Sequence, residues 1–119
     1  MKNALIAEIC SIEREEREYV MEIIARREQG MLELKVVGRL DTMTSNQLEA
    51  EFKKIDNSVE LLVLDFTDLE YITSVGIRIL LSANKMMGKQ GKLVLRGLNR
   101  EVSEVLEITG VLELFCLEQ

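Results

Sequence analysis

Asp65-Phe66-Thr67-Asp68-Leu69-Glu70-Tyr71-Ile72-Thr73-Ser74-Val75-Gly76-Ile77 is the stretch that decides how this chain is read. The apolar residues 61–66 that lead into it have the composition of a strand covered on both faces. The acidic residues that follow read as a short loop. The loop delivers two hydroxyls, Thr73 and Ser74, to the start of an apolar helix. A serine at such a junction has two readings. It caps the helix, a role that contributes about 1 kcal/mol. Alternatively it accepts a phosphate, because free backbone N–H groups and the positive end of the helix dipole favour negative charge there. Thr73 is the second candidate acceptor, less adaptable because of its β-branch.

Downstream, the pattern predicts a helix over about 74–87, with Arg78, Ser82, Lys85 and Lys89 as its polar stripe. Gly88 to Gly91 closes it, and Leu93, Val94 and Leu95 form the next strand. Strand, helix, strand in this order implies a parallel pair joined by a right-handed crossover. Asn99 is placed to cap a last helix with Val102, Val105 and Leu106 facing inward and Gly110 as its stop. Residues 112–115 complete the packing.

Upstream, residues 20–27 read as a strand, Gln29-Gly30 as a turn, and the alternation at Leu32, Leu34 and Val36 as a half-buried second strand. Together they predict a hairpin. Thr44 and Gln47 have capping-box spacing ahead of a helix whose apolar face is Leu48, Phe52 and Ile55, with Asn57-Ser58 as its stop. Residues 1–19 read as a helical extension, with Leu5, Ile9 and Ile12 on one face; it packs on the domain, frays, or offers a dimer or partner contact. The expected fold is α/β, a mixed sheet of about four to five strands with helices packed on it, in one domain over 20–119 behind that extension.

Composition narrows the function. The chain has 119 residues, 47% hydrophobic but only 4% aromatic, so Leu, Ile, Val and Met must build the core. It contains no histidine, which excludes His-based catalytic triads and His-ligated zinc. The net charge of -6 argues against nonspecific nucleic-acid binding and mildly favours partners with basic patches. No run is long enough to span a bilayer, and Glu8 interrupts the only candidate leader, so a cytoplasmic location is expected. Cys10 and Cys116 then read as free thiols.

The acidic group Asp65, Asp68 and Glu70 reads as a solvated loop in preference to a magnesium site, and no cofactor or metal is expected. Residues 88–92, Gly-Lys-Gln-Gly-Lys, lack phosphate-loop spacing and follow a helix instead of opening one. Asp41 commonly serves its own turn, or faces the same partner as Ser74 if both loops share one end of the sheet.

Three segments in order carry a family resemblance. They are Val37-Gly38-Arg39-Leu40-Asp41, Leu64-Asp65-Phe66 through Ile72-Thr73-Ser74-Val75-Gly76-Ile77-Arg78, and Gly97-Leu98-Asn99 through Val105-Leu106-Glu107-Ile108-Thr109-Gly110-Val111. The chain resembles the STAS family, and within it the stand-alone anti-sigma factor antagonists. That family's loop reads Asp-Ser-Ser-Gly with its first serine phosphorylated. Ser74 stands at that serine, Thr73 in the aspartate's place and Val75 in the second serine's.

The resemblance implies a binding protein that is not an enzyme, phosphorylated at Ser74 with Thr73 as second choice. Asp41, Thr73, Ser74, Val75, Gly76 and Arg78 would meet the partner. The partner would be an anti-sigma factor that is also an ATP-binding serine kinase of histidine-kinase-like fold, opposed by a serine phosphatase. Neither nucleic-acid contact nor membrane insertion is implied, and a homodimer is compatible. The alternative is a STAS-domain scaffold or accessory subunit, as in a stressosome or a lipid-transport complex, docking constitutively.

Overall fold

The computed structural model describes residues 21–118. The expected extension over 1–19, and Cys10 within it, lie outside the described residues.

Strand β1 (Glu22–Glu28) and strand β2 (Met31–Leu40) form the expected antiparallel hairpin, with Glu28 opposite Met31. The two-residue turn needs left-handed backbone, and Gly30 supplies it at φ 73. The Gly30 carbonyl then accepts from the amides of Glu60 and Leu61, which fixes where the central strand starts.

Helix α1 (Ser45–Phe52) carries the chain to β3 (Leu61–Asp65), parallel to β2. Leu62, Val63 and Leu64 are all buried, as a central strand requires. Helix α2 (Ser74–Met87) leads to β5 (Lys92–Arg96), parallel to β3. Helix α3 (Arg100–Ile108) follows. The described residues form a six-stranded sheet, in which all but the β1–β2 pairing is parallel. A single buried cluster joins the helices to the sheet, with Leu34, Leu62, Leu64, Leu80 and Leu95 fully inaccessible.

Two strands escape the sequence reading. The first is β4 (Leu69–Ile72), which occupies part of the expected acidic loop and pairs parallel with the end of β2 past a register shift at Gly38/Arg39. Its exposure runs buried, exposed, exposed, buried, so no period-2 signal marks it. Pairing with β2 imposes the strand. The second is β6 (Cys116–Glu118), beside β5. It follows a 3-10 turn (Leu112–Leu114) and the buried Phe115. The described residues thus form the expected mixed sheet, with six strands where about four to five were expected.

Helix starts also differ from expectation. The Thr44 hydroxyl does not cap α1; it donates to the Arg39 carbonyl at 2.6 Å, and Gln47 reaches the Met21 carbonyl at 3.5 Å. The Asp41 carboxylate accepts the Thr44 amide ahead of the helix and the Asp41 carbonyl accepts the Ser45 amide, so the capping box is not formed. That helix also ends at Phe52, leaving Ile55 in the turn after it.

The α3 expectations hold. Asn99 accepts from the Val102 amide at 2.8 Å while its amide group donates to the Leu69 carbonyl, also at 2.8 Å. At the other end, Gly110 at φ 79 closes a Schellman motif, Val111 N–H to Leu106 and Gly110 N–H to Glu107. Asn99→Ala should cost about 1 to 2 kcal/mol, because it removes a cap and the side-chain donor on the Leu69 carbonyl together. Urea denaturation checks this; an unchanged midpoint would contradict it.

Candidate functional site

The ends of β2 and β4 lie side by side, and this places the two loops of interest together. The Leu40 carbonyl accepts both the Thr73 amide (2.9 Å) and the Thr73 hydroxyl (3.3 Å). Asp41 is thereby one residue from the point where α2 begins. Its Oδ1 accepts the amides of Met43 and Thr44, each at 3.0 Å. Asp41 is therefore a turn-former that fixes the 41–44 loop at this end of the sheet.

Ser74 is not the helix cap. Thr73 holds that position with extended backbone, and Ser74 is the first helical residue. Thr73 makes no side-chain cap bond, because its hydroxyl is turned to Leu40. The first turn of α2 also carries no acidic residue. Its orphan N–H groups are thus capped by no side chain, and the Ser74 side chain beside them is exposed.

The remaining candidates divide by depth. Arg78 is exposed, one turn beyond Ser74, and Val75 is half-buried against the core. Gly76, one of the expected contact residues, is buried beneath this surface. A Cβ there would lie 2.8 Å from Leu40 Cγ and 3.0 Å from Ile72 Cγ1. The missing side chain lets α2 sit directly on the strand ends, which is what holds Ser74 at the rim.

One surface residue was missed. Met43 is 76% exposed in the loop that Asp41 braces, two residues from it. Sequence alone does not separate it from core methionines such as Met87, which is fully buried. Only its place between two polar threonines hinted at the surface.

The acidic residues are not gathered into a metal site. Asp65 accepts from the Thr67 amide and hydroxyl and faces Arg96 at 3.6 Å; Asp68 pairs with Lys35 at 3.1 Å. Glu70 is exposed on β4. Among the described residues no group of three potential metal ligands occurs. No described helix is long and apolar enough to cross a membrane. Cys116 is a free, exposed thiol on β6.

The family model for the STAS domain matches residues 22–119. This chain belongs to the STAS domain family. Its STAS domain is 38% identical over 97 residues to BtrV of Bordetella bronchiseptica, covering 80% of this chain and 84% of that protein. The name of BtrV assigns it provisionally to the anti-sigma factor antagonists. Among solved structures, the STAS domain is similar to an anti-sigma factor antagonist from Mycobacterium paratuberculosis, with a TM-score of 0.75 at 23% identity, covering 82% of this chain and 85% of that one. It is also similar to the Bacillus cell fate determinant SpoIIAA in its phosphorylated form, with a TM-score of 0.65 at 15% identity, covering 82% and 92%. At these identities both structures speak for the fold alone.

Proposed function

We propose that this STAS domain is a cytoplasmic anti-sigma factor antagonist that works by partner switching and catalyses nothing itself. The observation that carries the reading is the exposed Ser74 hydroxyl at the uncapped first turn of α2, beside the braced Asp41 loop. The relative at 38% identity, named as an antagonist, supports the class.

The unphosphorylated chain binds an anti-sigma factor that is also a serine kinase, and the sigma factor is released. The kinase then transfers the γ-phosphoryl group of ATP to Ser74 Oγ. ADP leaves, and the hydroxyl proton passes to a base on the kinase. The phosphate brings about -1.5 to -2 charges, tolerated by the helix end but not by a surface docked on it. A phosphatase uses water to remove the phosphate and restores binding. Ser74 is favoured over Thr73 because the Thr73 hydroxyl is half-buried and already bonded to Leu40.

The test uses the full chain with the ATPase-type anti-sigma factor of the same genome. Size-exclusion chromatography should show one complex, which Mg-ATP dissolves as a single phosphate appears on this chain. A complex that persists through Mg-ATP treatment, with no phosphate incorporated, overturns the reading in favour of constitutive docking.

A further inference from the structure

We propose that Arg78 is the intramolecular counter-ion of a phosphate on Ser74. Modification then withdraws this cation from the partner surface as well as adding negative charge to it. The inference rests on Ser74 being the phosphoacceptor and concerns what the phosphate does once attached.

The argument starts from helix geometry. Ser74 and Arg78 are both exposed on α2 and stand four residues apart, so they are neighbours on one face. Helical side chains lean toward the N-terminus, and a long one covers the turn preceding its own Cα. Helix geometry therefore lets the Arg78 guanidinium reach over the turn that carries Ser74. A guanidinium matches phosphate oxygens with paired N–H donors, which gives this contact geometry as well as charge.

Competing partners are few. Arg26, Arg96 and Arg100 each hold a carboxylate, whereas Arg78 enters no ion pair among the described residues. The next cation on α2 is Lys85, seven residues beyond Arg78 and so roughly 10 Å further along the axis. From the neighbouring strand end, Arg39 already has a partner and Asp41 has Oδ1 committed to the Met43 and Thr44 amides. With no acidic residue in the first turn, nothing on the helix itself competes for Arg78 from Ser74's side. The short Ser74 side chain carries no charge until it is modified, so the unmodified chain leaves the guanidinium for a partner and the modified chain captures it.

The test installs phosphoserine at position 74 during synthesis of the full chain, which removes any need for the kinase. Phosphorus NMR then follows the second ionisation of the phosphate in the parent, Arg78→Gln and Arg78→Lys proteins. The parent should titrate about 0.2 to 0.4 pH unit below the glutamine variant, and lysine should recover part of that shift. Added salt should shrink the difference. Identical titrations in parent and glutamine variant, with equal helix content by circular dichroism, overturn the inference. That outcome leaves the partner switch standing. Failure of every kinase to modify Ser74 would instead sink the switch while leaving the Arg78 contact measurable.

Discussion

Ser74→Ala keeps the protein bound to its kinase and takes phosphate incorporation to background, a fall of about 100-fold or more. The substitution removes one exposed oxygen and nothing on which the fold depends. Ser74 is the first residue of α2, is not its cap, and makes no contact that anchors the helix. The helix start is anchored by the Thr73 amide and hydroxyl on Leu40 and by the close seating of Gly76 on Leu40 and Ile72. Stability should change by less than about 0.5 kcal/mol, the ordinary range for a surface substitution. Radiolabel from Mg-ATP and a thermal melt measure the two effects together. Label that survives in Ser74→Ala and vanishes in Thr73→Val would move the acceptor by one residue.

The largest effect on stability is expected at Gly91. A Cβ there would fall 1.9 Å from the Glu60 carbonyl oxygen and 2.6 Å from its carbon. Both atoms are backbone, so no side-chain rotation relieves the overlap. The same carbonyl accepts from the Lys92 amide at 3.0 Å, where β3 and β5 begin to pair. Gln90 ties this corner further through the carbonyls of Asp56 and Val59. Gly91→Ala must push apart the central strands or bend the turn that ends α2. We expect a loss of about 3 kcal/mol or more, and a melting temperature lower by more than about 10 °C.

Gly110→Ala is the control. That glycine has φ 79 but nothing within 4 Å of its would-be Cβ. Only the left-handed backbone is penalised there, about 1 to 2 kcal/mol. Equal losses at the two positions would contradict the packing argument.

The features legible in the sequence were those that local chemistry dictates. Gln29-Gly30 marked its turn because left-handed backbone needs glycine. Leu62-Val63-Leu64 marked a strand buried on both faces, and Asn99 with Gly110 bracketed α3. What stayed hidden depends on partners distant in sequence. Residues 69–72 extend because the end of β2 offers them an edge, and Glu70 with Tyr71 gives no alternation to reveal it. The Thr44 hydroxyl looked like a cap, yet it and the Thr73 hydroxyl both turn back to the carbonyls of Arg39 and Leu40 at the end of β2. The same blindness applies at the site. Gly76 and Arg78 sit two residues apart in one motif, but only packing separates the buried spacer from the exposed cation.

Charge at residue 74 alone should decide whether the kinase stays docked, and calorimetric titration of the kinase tests this most directly. One titrant is the unmodified full chain, and the other carries phosphoserine at that position. The phosphorylated chain should bind at least about 100-fold more weakly, about 2.7 kcal/mol, while its circular dichroism matches that of the unmodified form and its melting temperature is no lower. Equal affinities for the two forms, with both folded, would contradict the account.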